Sequence, residues 1–390
     1  MPEPASHQPA STEVLIVGGG PSGLAAAIAL RQRGIDCTVV EARAAGIDKA
    51  CGEGLMPDSR ATLAQLGIHL AASDGHPFHG IRFQNSAHHV DATFRHGPGI
   101  GVRRPHLHSL LAARAREVGV HLLWNTRVQL PEDPSVQVAH IDGQPIRFRW
   151  IVGADGQASS VRKWAGLDAA RRRSIRYGFR THYRVDPAVW APSNVEVHWG
   201  RAGQLYITPV APGQVCAVYI TRDPRNLNSG SRTSILDEFP AIAPYLEPDD
   251  TTSRPRGAVT ASCKLRRVAT DSVALIGDAS GSADAITGEG LAISFRQALA
   301  LADSIGAGSL APYRRAHARI GRLPIAMGEL MLTLDRWPAL QVRAIRALAH
   351  SPALFQELLD AHMGETALAP VLLRRGPRFG LSLLTSGAQA

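Results

Sequence analysis

Val14-Leu15-Ile16-Val17-Gly18-Gly19-Gly20-Pro21-Ser22-Gly23 decides the fold of this chain. The four branched or long apolar residues read as a buried parallel strand. Gly18, Gly20 and Gly23 then fall at GxGxxG spacing, and Leu24 to Arg33 reads as an Ala- and Leu-rich helix. Each glycine has its own task. Gly18 makes the tight turn, Gly20 lets a pyrophosphate approach the backbone, and Gly23 lets helix and strand pack closely. Pro21 and Ser22, within the glycine turn, join the cofactor-binding set, and the N–H groups and positive dipole end of the helix that follows suit phosphate. A second apolar run, Cys37-Thr38-Val39-Val40, ends on Glu41. That acid lies about 20 residues beyond the glycines, where the group that holds an adenosine ribose belongs. Strand before, helix after and acid at this distance point to dinucleotide binding, with Arg43 joining the cofactor-binding set, rather than to a structural Gly-rich turn.

The 390 residues can hold two domains or one large composite one. A hydrophobic content of 45% with 19% charged residues is that of an ordinary globular protein. The formal charge of +9 raises the question of nucleic acid. However, only Lys49, Lys163 and Lys264 are lysines, and the arginines are scattered without an aromatic-interleaved stripe, so no nucleic-acid partner is expected. Cys37, Cys51, Cys216 and Cys263 are far apart and form no CxxC pair, which suits reduced thiols and a cytoplasmic location. No secretory leader and no membrane span is expected. Residues 1 to 11 read as a loose tail. No metal site is expected, because His79, His88, His89 and His96 lack HxxxH or HExxH spacing.

Further along, Lys49-Ala50-Cys51-Gly52-Glu53-Gly54 reads as a loop passing close to something, and Pro57 to Leu66 as a helix. A strand-like pattern covers Phe78 to Phe94. Pro105 suits the first turn of a helix running to Glu117. Strands are expected over Val120 to Trp124, Arg127 to Leu130 and Arg147 to Val152, with a hairpin around Pro131 to Gln144. The last of these strands enters Gly153-Ala154-Asp155-Gly156, a second ligand-facing strand-to-helix crossing. Period-two alternation from Arg171 to Lys264 predicts an antiparallel sheet. Ser272 to Ile276 is a third buried strand, followed by Gly277-Asp278, then Thr287-Gly288-Glu289-Gly290-Leu291 and a helix from Ala292 to Ile305. Amphipathic helices fill Pro312 to Ala367, broken at Pro324, Pro338 and Pro352, and a basic, apolar tail starts at Arg374.

The ordered triple of GxGxxG with Glu41, Asp155-Gly156 and Gly277-Asp278 resembles the FAD-dependent oxidoreductases typified by para-hydroxybenzoate hydroxylase, the group A flavin monooxygenases. The resemblance covers residues 12 to 305. It implies an α/β fold: a Rossmann-type FAD-binding domain with an interleaved antiparallel-sheet substrate domain and C-terminal helices. The expected boundaries are 12–70, 101–168 and 265–305 for the FAD-binding domain, 71–100 and 169–264 for the substrate domain, and 306–390 for the helical segment. It also implies one FAD, with its ADP half on the first motif and its ribitol and pyrophosphate on Gly277 and Asp278. Asp155 and Gly156 would help hold the FAD and a passing nicotinamide, and Arg104 would contact flavin phosphates or ribitol. In motif detail the chain is similar to the geranylgeranyl-reductase branch. Lys49 to Gly54 looks like that branch's Cys-Gly loop near the flavin ring. Gly288, Gly290 and Leu291 look like its loop at the pyrimidine edge.

The resemblance leaves three functions open. The favoured one is an NAD(P)H-driven monooxygenase that hydroxylates a small apolar or aromatic substrate through a flavin hydroperoxide. The second is a reductase of C=C bonds in a lipid or polyketide-like substrate, for which Cys51 or Glu53 would supply a proton. The third is a non-catalytic FAD-binding maturation partner. Tyr206, on a strand of the expected sheet, is the remaining candidate catalytic residue. NAD(P)H is expected as a transient donor, since no second GxGxxG is present. The C-terminal helices with Arg374-Arg375 leave weak peripheral membrane contact as an alternative to ordinary packing. The oligomeric state is left open.

Overall fold

Ser11–Val17 lies at the centre of a mainly parallel sheet, paired with Cys37–Val40 on one side and Gln144–Gly153 on the other. The computed structural model describes residues 9–168, 170–223, 235–247, 250–282 and 284–385. Val14, Leu15 and Ile16 are fully buried, as in a parallel sheet covered on both faces. His121–Leu123 extends the sheet beyond Cys37–Val40, and Val273–Leu275 extends it beyond Gln144–Gly153, both in parallel. The chain therefore adds strands first to one side of Ser11–Val17 and later to the other. That reversal opens a crevice at the carboxyl ends of Ser11–Val17 and Gln144–Gly153. Helix Pro21–Arg31 buries every residue from Gly23 to Leu30 and packs against Gly290–Gly306 and Arg104–Glu117. An all-apolar helix of this kind belongs inside a layer.

A second sheet runs in the order 256–265, 170–184, 214–221, 203–211, 195–199, 80–84, 89–93. All its pairs are antiparallel except Val195–Trp199 with Gly80–Gln84. Period two sorts its side chains. Leu205, Ile207, Val215, Ala217 and Tyr219 meet Phe239, Ile242 and Leu246 on one face. Tyr206, Val210, Cys216, Val218 and Ile220 cluster on the other. That second face turns toward the loops of the first sheet: Cys216 Sγ lies 3.6 Å from the Cys51 carbonyl, and the Tyr206 hydroxyl donates to the Ile286 carbonyl at 2.9 Å.

Three expectations are corrected. The first strand starts at Ser11, whose register reaches Arg147, so pairing captures the end of the supposed tail; residues 1–8 lie outside the described residues. Pro324 does not break its helix, which runs from Ala311 to Arg336. One intrahelical bond is lost there, but Pro324 is itself buried, and Gly328 brings the next turn against Thr287, where an added Cβ would lie 3.5 Å from Thr287 Cγ2. Pro338 and Pro352 do begin new helices. The segment from Arg374 is not a solvated tail but part of helix Leu368–Thr385. Val371 is buried with Leu348 and Phe355, and Arg374 and Arg375 both pair with Glu357. Among the described residues, no helix is long and apolar enough to cross a membrane.

Candidate active site

The three motif loops meet because their strands are neighbours. Gly18 has φ 113°, and a Cβ there would lie 2.4 Å from the Ala154 carbonyl oxygen, so the first turn abuts the Asp155 loop. Gly277, at φ 58°, could carry no Cβ without meeting Ser22 Oγ at 2.3 Å, so the third loop abuts the first helix. Arg162 closes the triangle, donating to the carbonyls of Gln157 and Ala279 at 2.8 and 3.2 Å while pairing with Asp168. Glu41 braces the glycine turn from the next strand. Its carboxylate accepts from the N–H groups of Gly19 and Arg43 at 2.8 and 3.0 Å. His108 holds the carbonyl of the same Gly19 at 2.9 Å, and burial lowers its imidazole pKa.

Whether this groove fits an extended dinucleotide can be judged from its backbone. Gly20, Gly156, Gly288 and Gly290 belong to three different loops, yet a Cβ on any of them meets nothing within 4 Å. Open space on the glycine side of each loop is what a cofactor lying against bare backbone requires. The polar groups fit as well. Asp278 is half-exposed and its carboxylate accepts from Lys49 Nζ at 2.7 Å, with oxygen surface remaining for hydroxyl groups. Asp155 spends Oδ2 on capping Ser160 and Val161, while its Oδ1 is buried without a partner among the described residues. Gly288 adopts φ 69° directly before helix Gly290–Gly306, whose N-terminal end suits an anionic ring edge. Pro21 and Ser22 stand at the start of helix Pro21–Arg31, and Leu291 in the first turn of Gly290–Gly306. Arg43 extends from Glu41 into solvent, its side chain 69% exposed.

The Cys-Gly loop is held by the second sheet. Glu53 is buried at φ 60°, with Oε1 accepting from Arg104 N–H at 2.9 Å and Arg180 Nη1 at 2.8 Å, and Oε2 2.6 Å from His182 Nε2. Arg180 also grips Asp48 through two bonds of 2.9 Å. Burial works to raise the Glu53 carboxyl, but His182, the Arg104 N–H and Arg180 outweigh it and hold the group below the usual carboxylate range. These contacts make Glu53 an anchor of its loop. Glu53, His182 and Cys216 bring ligand atoms within 4.8 Å of one another. Both carboxylate oxygens are already committed to cations or N–H donors, and burial pushes the Cys216 thiol far up. The donor set is that of an ion-pair network, not a metal cradle.

Cys51 lies on the same loop, half-buried, with Glu53 N–H 3.4 Å and Arg104 Nη1 4.0 Å from Sγ. Arg104 heads helix Arg104–Glu117, as its motif implies. Tyr206 is committed to the Ile286 carbonyl, and burial raises its phenol.

A second network escaped sequence reasoning. Asp284, two residues before the Ile286 that Tyr206 holds, accepts from Arg176 at 3.3 Å and Ser174 at 2.8 Å. Arg176 in turn meets Gln204 and, at 3.7 Å, Asp335 of helix Ala311–Arg336. Arg176, Arg180 and His182 share one face of strand Ala170–Arg184, so period two was the available signal. Nothing local marked Asp284 as the partner of Arg176.

Open backbone loops at a strand-order reversal, an acid at each and an apolar sheet opposite define a flavoprotein of the FAD-dependent oxidoreductase class. The chain belongs to the FAD binding domain family, whose model matches residues 11–309. It is an FAD-dependent oxidoreductase of the monooxygenase family. Over 306 residues it is 28% identical to a menaquinone reductase of Mycobacterium tuberculosis, spanning 72% of this chain and 73% of that protein. Over 174 residues it is 33% identical to the 6-methylpretetramide 4-monooxygenase of Streptomyces rimosus, spanning 40% and 41%. The crystal structure of a flavoprotein/dehydrogenase from Cytophaga hutchinsonii superposes with a TM-score of 0.82 at 16% identity, covering 96% of this chain and 100% of that one. That last likeness is one of fold.

Proposed function

We propose that the protein is an NAD(P)H-driven monooxygenase that hydroxylates an apolar or aromatic substrate. The observation carrying this reading is the sheet face opposite the cofactor loops, where Tyr206, Val210, Val218 and Ile220 form an apolar floor while the nearby acid, Glu53, is locked in ion pairs. A bound FAD would supply the redox chemistry, taking electrons from a nicotinamide and passing them to oxygen. The chain's own part is to hold and to exclude. Gly18 to Gly23 and Glu41 would take the ADP half, Asp278 the ribitol, Arg104 the phosphate or ribitol, and Asp155 and Gly156 would help position both FAD and the visiting donor. The N-terminal end of Gly290–Gly306, with Gly288 and Gly290 leaving the approach open, would face the developing negative charge of the ring. Hydroxylation needs a dry pocket more than a side-chain acid, and an apolar floor suits it.

The reductase reading keeps one specific support. The menaquinone reductase aligns over 306 residues, whereas the 6-methylpretetramide 4-monooxygenase aligns over 174. On that reading Cys51, the remaining polar side chain of its loop not committed to an ion pair, would donate the proton. The two are separated by following NADPH and NADH oxidation with and without oxygen in the presence of aromatic, polyketide-like and quinone substrates. Incorporation of heavy-isotope oxygen into product supports the monooxygenase; anaerobic turnover with a saturated product replaces it with the reductase. Flavin that binds but never cycles with any donor removes both in favour of a binding role.

A further inference from the structure

Five of the nine large apolar side chains that stay exposed among the described residues lie on the C-terminal helices: Leu330, Trp337, Val342, Leu372 and Leu373. Trp337 is 60% and Leu373 80% exposed. Helix Ala311–Arg336 puts Arg315, Arg319, Arg322, Ala326, Leu330 and Thr333 on one outward stripe at helical spacing, and Trp337 follows at its end. Arg336 and Arg343 flank the tryptophan and are exposed. Residues 311–385 carry ten arginines and five acids, with no lysine. Four of those acids turn away from the stripe. Asp335 is buried against Arg222, Asp360 and Glu365 meet Arg95, and Glu357 holds Arg374 and Arg375. Glu329 is left as the acid beside Leu330.

From this we infer that the outward face of Ala311–Arg336, with Trp337 and Val342, docks on the surface of an anionic lipid bilayer. The chemistry is matched on both counts. A row of arginines suits anionic headgroups, and an exposed tryptophan with leucine and valine beside it suits the headgroup–acyl boundary. Arginine keeps its charge there and binds phosphate through two donors at once. The helix lies flat, since its 26 residues, five of them arginines, are not apolar enough to span. Helix Leu368–Thr385 packs against Pro338–Ala349 and adds Leu372 and Leu373 as a second apolar point. The inner face of the docking helix places Met331 among Ile286, Trp199 and Tyr206. Bilayer and apolar floor thus stand on opposite sides of one helix, about 10 Å thick. The inference holds whichever reaction the site performs.

The test is flotation of the full, FAD-loaded chain with vesicles of phosphatidylcholine alone or mixed equally with phosphatidylglycerol. Binding to the mixed vesicles at low salt, weaker by about tenfold on the neutral ones and reversed by high salt, is expected. Leu330→Asp with Trp337→Asp should lower binding about tenfold or more, and Arg319→Glu with Arg322→Glu should do the same, both at unchanged flavin content and thermal midpoint. Absence of binding at low salt overturns the inference, as does binding that neither pair of substitutions weakens. So does a dimer in solution that Trp337→Asp dissociates, which would assign the face to a second copy of the chain.

Discussion

Glu289 sits between Gly288 and Gly290 at the head of helix Gly290–Gly306 and is 4% exposed. Its Oε1 lies 3.8 Å from Arg296 and 3.7 Å from His362, beyond hydrogen-bond reach, and its Oε2 is buried without a partner among the described residues. Burial therefore dominates and pushes the carboxyl up to about 8, with Arg296 opposing and Asp58 assisting. The folded state then holds a proton that the unfolded chain releases from an ordinary value of 4.5 upward. This contribution is fully present below 4.5 and is lost as pH climbs to 8. Burial drives His362 and His317 down to about 4. Their effect has the opposite sign: stability from them is lost as pH falls from 6.5 toward 4 and is constant above 6.5. Between pH 6.5 and 8 the Glu289 slope stands alone among these three, amounting to about 2 kcal/mol at roughly 1.4 per unit. Glu289→Gln, neutral throughout, should remove that slope. Urea unfolding of wild type and variant at fixed excess FAD, from pH 6.5 to 8, measures it as a widening gap in favour of the variant. Parallel curves would refute the neutral carboxyl. They would also remove its consequence, that the positive end of this helix stays uncancelled where it faces the open space by Gly288.

Other substitutions separate cofactor holding from folding. Gly20→Val should leave a folded but colourless protein, because its side chain points into open space, whereas Gly23→Ala should yield little soluble protein, its Cβ meeting the Gly18 carbonyl oxygen at 1.9 Å; absorbance and circular dichroism on the two check this. Asp278→Ala should lose stoichiometric flavin, and a variant that stays yellow removes that residue from the cofactor set. Cys51→Ser should reduce turnover strongly in a C=C reductase and mildly in a hydroxylase, read from steady-state rates. Glu53→Ala leaves His182 and Arg180 facing an emptied buried site and should cost about 3–5 kcal/mol in unfolding free energy. A loss within about 0.5 kcal/mol, the usual size of a surface change, would show that Glu53 does not anchor its loop.

What the sequence discloses and what it conceals divide along one physical line. Gly18, Gly23 and Gly277 are legible because the constraint on each is steric and belongs to a strand–turn–helix crossing with its own local pattern. Asp155, Glu41 and Asp278 are legible for the same reason, since each ends a buried apolar run. Glu53 is not, because what it does is decided by Arg180 and His182, 127 and 129 residues away. In isolation Cys51-Gly52-Glu53-Gly54 reads as a loop passing close to something, with Glu53 a candidate proton donor, while in the fold that acid is held by Arg180 and His182. The same holds for Asp284, whose partner Arg176 lies 108 residues away. These two pairs have a common origin. Arg176 and Arg180 stand four positions apart on one strand, about 13 Å along it, and each grips one of the two loops proposed to flank the reactive ring: Arg176 the loop before Gly288, Arg180 the loop of Cys51. The strand of the second sheet thus sets the separation of the two loops. The sheet that reads in the sequence as a separate floor is, through two buried arginines, the part that spaces the site.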